Sequence, residues 1–280
     1  MSPLVMGVLN VTPDSFSDGG QWFDGPAAIE HGLAMVAAGA SVVDVGGEST
    51  RPGADPVATV EELRRVLPVV EALAPHTRVS IDTMKVEVAE AAVEAGATLV
   101  NDVSGSLDLA RVAARTGAGW VCMHMQGTPR TMQRQPEYTD VVAEVRDWLT
   151  DRAASGRALG VGEVWIDPGI GFGKTLDHNL ALLAHLDQLI ATGWPVLVGT
   201  SRKSFLGTLE SRADGHDRPA PVDDRLEGSL ASAAWAAMQG VHAVRVHDVE
   251  PTAAALAAVE RGRRASTAEV AGVPTAGAAT

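Results

Sequence analysis

Short apolar runs alternate with longer stretches whose apolar residues recur every three or four positions, and this alternation continues through most of the chain. The short runs, residues 4–11, 41–45, 78–82, 98–102, 120–124, 164–167, 195–199 and 243–247, are rich in Val and Ile. Near-continuous apolar character over so few residues reads as strands covered on both faces, the condition of a parallel sheet. Helical spacing fills the gaps: in 57–73 it is carried by Val60, Leu63, Leu67 and Val70, with Pro68 expected to kink or shorten the helix. Further helical stretches are 86–95, 140–153, 177–190, 228–239 and 252–261.

Eight strands, each followed by a helix, leave two parallel arrangements open: a closed barrel or an open doubly wound sheet. The count of eight, without a dinucleotide-type glycine loop after the first strand, favours a single-domain (β/α)8 TIM barrel. The pattern places this domain at residues 1–265 and an irregular, Ala/Gly/Thr/Pro-rich tail at 266–280. A polar, Pro-containing surface insertion is expected at 212–224.

The strand ends carry the chemistry. Asn10, Asp82, Asn101-Asp102, His124 and Asp167 close five of the runs. The second runs into Gly46-Gly47-Glu48-Ser49-Thr50-Arg51 and the seventh into Thr200-Ser201-Arg202-Lys203-Ser204, while the eighth carries Arg245 and His247 on one face. In a barrel the C-terminal strand ends and their loops form the active-site face. Asp82, Asn101 and Asp167 supply acceptors suited to a flat heterocycle with adjacent N–H donors. Lys203, Arg245 and His247 come from the two strands where barrels often place a phosphate site. One ligand satisfies both halves: a donor-rich heterocycle carrying a phosphate or diphosphate. The competing reading makes Asp82 and Asp167 structural ion-pair partners of Arg245 and Lys203, although buried pairs are poor sources of stability. Residues 12–20 and 46–55 are rich in Gly, Ser, Pro and Asp; they suit ordinary barrel loops or a pair of lids that exclude water. No zinc-type spacing is present, and Asn10 is a lone neutral oxygen ligand, so a metal would arrive with the phosphate groups, as Mg²⁺ does.

Composition narrows the picture. With 280 residues, 46% of them hydrophobic, the chain can bury one sizeable core. A formal charge of −13 argues against nucleic acid or an anionic membrane surface as partner, so an anion must be held by a local basic cluster. Cys122 is the one cysteine, which excludes an intrachain disulfide and suits a buried core position. No Lys or Arg precedes Arg51, and no apolar run approaches the roughly 20 residues of a membrane span, so the chain reads as cytoplasmic.

Several segments together carry a family likeness: GVLNVTPDSFSDGG at 7–20, DVGGESTRPG at 44–53, SIDT at 80–83, NDVSG at 101–105, MHMQG at 123–127, DPGIGFGK at 167–174, SRKSFLG at 201–207 and RVHDV at 245–249. In this order they resemble the bacterial dihydropteroate synthases of the pterin-binding barrel family. The resemblance implies condensation of 7,8-dihydropterin-6-ylmethyl diphosphate with 4-aminobenzoate to 7,8-dihydropteroate and diphosphate, in folate synthesis. It implies that Asp82, Asn101, Asp167 and Lys203 hold the pterin, and that Asn10, Arg245 and His247 hold the diphosphate with its Mg²⁺. Thr50 and Arg51 would close from the second loop, Pro52 and Phe172 would flank the 4-aminobenzoate ring, and Ser204 would receive its carboxylate. Asp82, Asp167, Lys203, Arg245 and His247 would then carry the chemistry, and the protein would be a homodimer. Two alternatives stay beside this one. A methyltetrahydrofolate–corrinoid methyltransferase explains the pterin half but not the basic cluster. A non-catalytic pterin-binding paralogue is a second, against which the intact loop motifs argue.

Overall fold

The computed structural model describes residues 2–12, 25–50, 53–215 and 218–271. Its strands are β1 (Leu4–Asn10), β2 (Val42–Gly46), β3 (Arg78–Asp82), β4 (Leu99–Asp102), β5 (Gly119–Met123), β6 (Val164–Asp167), β7 (Leu197–Val198) and β8 (Ala243–Val246). All pairings between them are parallel, in the order β6-β5-β4-β3-β2-β1-β8-β7. A parallel bridge from Ile166 to Val196 joins the two ends and closes the barrel.

Ten α-helices lie among the described residues: α1 (Gly25–Ala37), α2 (Thr59–Leu73), α3 (Val86–Glu94), α4 (Leu107–Thr116), α5 (Val141–Ala158), α6 (Leu176–Ala184), α7 (Leu186–Ile190), α8 (Ser204–Ala213), α9 (Leu226–Gln239) and α10 (Val249–Ala271). None is long and apolar enough to cross a membrane.

Several boundaries depart from the sequence pattern for identifiable reasons. β7 is shorter than 195–199 because Pro195 has no amide to donate and the Val196 amide is taken by His242 Nδ1 at 3.1 Å. The helix expected over 177–190 is two, divided at His185. Pro68 does not shorten α2; it sits on the exposed side, where the carbonyl it leaves without a helical donor can meet water. The segment expected as an insertion begins inside α8, and its Arg218 carbonyl accepts a bond from the Ser211 hydroxyl. α10 continues past Ser266, where the pattern began an irregular tail, to Ala271.

Alternation along the strands divides the interior in two. Outward side chains such as Leu9, Val43, Val45, Ile81, Val100, Trp120, Ile166 and Val198 pack under the helices as the main core. Inward side chains form a small separate cluster of Met6, Val42, Leu99, Val121, Leu197 and Ala243, the floor of the barrel. Trp120 is the largest fully buried side chain of the outer layer. Its ring occupies space that only a glycine leaves: a Cβ on Gly156 of α5 would lie 2.6 Å from Cζ3. Trp120→Ala is therefore expected to lower the unfolding free energy by about 3–5 kcal/mol in urea titrations; a loss below about 1 kcal/mol would contradict this packing.

Candidate active site

Directly above the apolar floor, the same inward positions turn polar. Asp44, Asn101 and Arg245 stand two positions beyond the floor residues Val42, Leu99 and Ala243, Asp167 stands two beyond Trp165, which packs against that floor, and Ser80 and Asp82 hold the matching inward positions of β3. The register sets Asp44 beside Ser80, and Asp82 beside both Gly46 and Asn101.

At the centre is a guanidinium between two carboxylates. Arg245 donates from Nε to Asp44 Oδ2 at 2.6 Å and from Nη2 to Asp82 Oδ2 at 2.7 Å. Asn101 Nδ2 donates to the same Asp44 oxygen at 2.8 Å. Asp44 is fully buried on a strand whose body the sequence pattern treats as apolar; its signal was a lone charge at an inward position of β2. The remaining oxygens, Asp44 Oδ1 and Asp82 Oδ1, are buried without a hydrogen-bond partner, as is Ser80 Oγ. Burial pushes the Asp82 carboxyl up to about 7, Asp44 and Glu62 add to the rise, and Arg245 opposes it. For Arg245, burial works against the charge, but Asp44 and Asp82 outweigh it and raise its pKa.

The ion pairs weighed as an alternative are half realised. Asp82 pairs with Arg245, whereas no ion pair joins Asp167 to Lys203. Asp167 accepts the Gly169 amide at 2.7 Å. Lys203 donates to the Ile170 carbonyl, with its ammonium 4.8 Å from the centre of the Phe172 ring. Burial lowers Lys203 to about 8, against the pull of Asp167. Burial also raises Asp167, opposed chiefly by Lys203. The loop after β6 lies this close because Gly169 has φ +64°, and a Cβ there would stand 1.9 Å from the His124 carbonyl oxygen.

Two strand-end residues point elsewhere. Asp102, next to Asn101, faces outward and accepts the Ser104 amide, the Ser104 hydroxyl, the Ser106 amide and Trp120 Nε1. It braces the loop after β4. His124 packs edge-on against Trp148, ring centroids 5.1 Å apart, and burial holds it neutral, with a pKa of about 3. Its Nδ1 lies 3.0 Å from the buried ammonium of Lys174, which also donates to the Phe172 carbonyl at 3.0 Å and so braces the loop after β6. Burial lowers Lys174 to about 7.

The remaining candidates ring the mouth. Ser204 is exposed at the start of α8, a helix without a side-chain cap, so its first amides suit an anion. His247 Nδ1 lies 3.1 Å from the Ser201 hydroxyl. Asn10 ends β1 half-buried. Thr50 is half-buried in the loop after β2, whose base is tied down by residues that strand-end reasoning did not find. Lys85 bridges Glu48 and Glu62 and donates to the Val57 carbonyl at 2.8 Å, while Arg65 donates to the Gly47 carbonyl at 2.9 Å. The Lys85 contacts join separate strand–helix units and the Arg65 bond spans 18 residues, which local spacing does not reveal. Arg51 and Pro52, and residues 13–20 of the first loop, lie outside the described residues.

Residues 6–247 match the pterin binding enzyme family. The dihydropteroate synthase of Escherichia coli K12 is 47% identical over 267 residues, covering 92% of this chain and 91% of that protein. Among solved structures, Yersinia pestis dihydropteroate synthase in a sulfonamide drug complex aligns with a TM-score of 0.86 at 45% identity, over 94% of this chain and 95% of that one. Xanthomonas albilineans dihydropteroate synthase with 4-aminobenzoic acid aligns with a TM-score of 0.84 at 43% identity, over 97% and 94%. The polar mouth thus stands on a barrel shared along nearly its whole length with these enzymes, and the chain belongs to the pterin binding enzyme family, among its dihydropteroate synthases.

Proposed function

We propose that Asp44, Asp82, Asn101 and Asp167 seat the dihydropterin ring of the diphosphate substrate, with Lys203 beside them. The observation that carries this reading is the pair of buried carboxylate oxygens, one on Asp44 and one on Asp82, that have no donor. Buried acceptors are normally satisfied, and a heterocycle with adjacent N–H groups supplies the missing donors. Arg245 uses Nε and Nη2 on the carboxylates, which leaves Nη1 for the departing diphosphate, with His247 on the same face. Ser204 and the first turn of α8 receive the carboxylate of 4-aminobenzoate, a seat for which sulfonamides compete. Phe172 and Pro52 flank its ring, and Thr50 and Arg51 cover it.

Chemistry follows from charge. Leaving diphosphate takes the electron pair of the C–O bond, leaving positive charge on the methylene carbon that the dihydropterin ring delocalises. Asp82 and Asp167 favour that cation, and Arg245, Lys203 and His247 favour the leaving group. The neutral amine of 4-aminobenzoate then forms the C–N bond and loses a proton, so positioning and water exclusion do most of the work. No group of three or more His, Cys, Asp and Glu side chains among the described residues could hold a metal ion. The donor set fits Mg²⁺ only as an ion bound through the Asn10 amide oxygen and otherwise by substrate oxygens and water. When bound, it would neutralise diphosphate charge.

We also place the enzyme in the cytoplasm as a homodimer. An apolar groove of about 420 Å³ runs along α6, α8 and α9, lined by Leu180, Leu183, Phe205, Leu209 and Trp235. Exposed apolar area of this kind, with Trp235 43% accessible, suits a subunit interface better than water.

Three measurements test these assignments. Diphosphate release by Arg245→Ala is expected to fall by about 10²–10³; near-wild-type release would remove Arg245 from the chemistry. The pH profile of kcat/KM is expected to fall below about 7, as Asp82 gains a proton, and above about 8, as Lys203 loses one. Asp82→Asn should abolish the acid limb within its residual activity, and an unchanged limb would assign it to another group. In sedimentation velocity the wild type is expected to run as a dimer and Trp235→Glu as a monomer; a monomeric wild type at micromolar concentration would refute the interface.

A further inference from the structure

Arg202 has φ 59°, one of two described non-glycine residues in the left-handed region. A side chain resists this conformation because its Cβ crowds the following carbonyl oxygen, so the turn persists only where its surroundings impose it. Here three neighbours do so. The Arg202 amide donates to Ser229 Oγ at 3.0 Å. Its carbonyl accepts from Arg225 Nη1 at 2.9 Å. Its guanidinium makes a two-point pair with Asp248, with Nε 3.0 Å from Oδ2. Arg225 is itself fixed, donating from both Nε and Nη2 to the Ala220 carbonyl. Ser229 stands on α9 and Arg225 just before it, in the unit that β7 opens, while Asp248 follows β8, so these partners tie the turn both to its own strand–helix unit and to the next one.

The turn separates the end of β7 from Lys203, whose ammonium reaches the Ile170 carbonyl, and from Ser204, where α8 starts. Rotating Arg202 out of the left-handed region would swing both residues away. We propose that Arg202, clamped by Ser229, Arg225 and Asp248, is a positioning residue that places Lys203 and Ser204 through its backbone rather than by presenting its charge to substrate. Its guanidinium is engaged by Asp248, which suits a strut. The inference rests on the reading that Ser204 seats the 4-aminobenzoate carboxylate.

The test compares Arg202→Ala, Arg202→Gly, Asp248→Ala and Ser204→Ala by steady-state kinetics with both substrates. Both Arg202 variants lose the side-chain clamp, but glycine adopts the left-handed turn freely and alanine does not. KM for 4-aminobenzoate is expected to rise on the order of tenfold in Arg202→Ala and clearly less in Arg202→Gly. Asp248→Ala keeps the arginine and releases its anchor, and is expected to raise the same KM. Equal impairment in the alanine and glycine variants, with Asp248→Ala unaffected, would show a direct role for the charge and overturn the proposal. So would wild-type KM values in all three. Ser204→Ala separates the two layers: if it leaves KM for 4-aminobenzoate unchanged, the carboxylate seat itself is misplaced. If it raises KM while alanine and glycine at 202 behave alike, the seat stands and the positioning role falls.

Discussion

Arg245 holds two buried carboxylates on one guanidinium, and the arrangement of the mouth depends on that shortfall of positive charge. One cation satisfies the facing oxygens of Asp44 and Asp82 and leaves the other oxygen of each without a donor. An arrangement chosen for stability would not stop there, because buried ionic groups recover their desolvation cost only when every lone pair is met. The deficit is local and specific. It lies on the inner face, one layer above an apolar floor, where water is scarce and a flat donor-rich ring supplies what is missing. Stability comes from the outer layer, where Trp120, Leu9, Ile81 and Ile166 are completely buried beneath the helices.

The same division explains why neighbouring polar residues have unlike roles. Asn101 faces the mouth and Asp102 faces the helices, so Asp102 binds its own loop and the Trp120 ring instead of a ligand. His124 and Lys174 together support the loop that carries Phe172. Lys85, between Glu48 and Glu62, does the equivalent work for the loop that carries Thr50. Both of these loops are thus tied by a buried or half-buried polar contact to a rigid strand or helix, which keeps loop residues in place without covering the mouth with apolar surface.

Much of this was legible in the sequence because a barrel strand is short, apolar and ends in chemistry. The eight strands, the barrel, the inward set Asp82, Asn101, Asp167 and Arg245, and Lys203 in the loop after β7 follow from that rule. What it missed has physical causes. Parity along β4 already separates Asn101 from Asp102, but reading a strand end as a unit merges them. Asp44 lies two residues before its strand ends, inside a run that its four apolar or glycine neighbours make look like core. The Lys85 contacts join different strand–helix units and Arg225 reaches the Arg202 carbonyl across 23 residues, and local spacing carries no information about either. The pattern overextends β7 because it counts Pro195 as one more apolar residue, although proline has no amide to donate, and because it does not show that His242 takes the Val196 amide.

An acidic chain that handles two anionic substrates poses an electrostatic problem, and the position of each charge answers it. The overall field of a protein at −13 repels both a diphosphate and a benzoate. On the proposed reading, each anion meets a confined positive element at the rim: Arg245 and His247 for one, the start of α8 for the other. The carboxylates lie deeper, beneath the ring rather than beside the diphosphate, where positive charge develops as the leaving group departs. Placing like charges at different depths lets one mouth attract an anion and stabilise a cation in the same turnover. It also gives Arg245 its double task, since the residue that restrains the carboxylates is the one that must reach the rim.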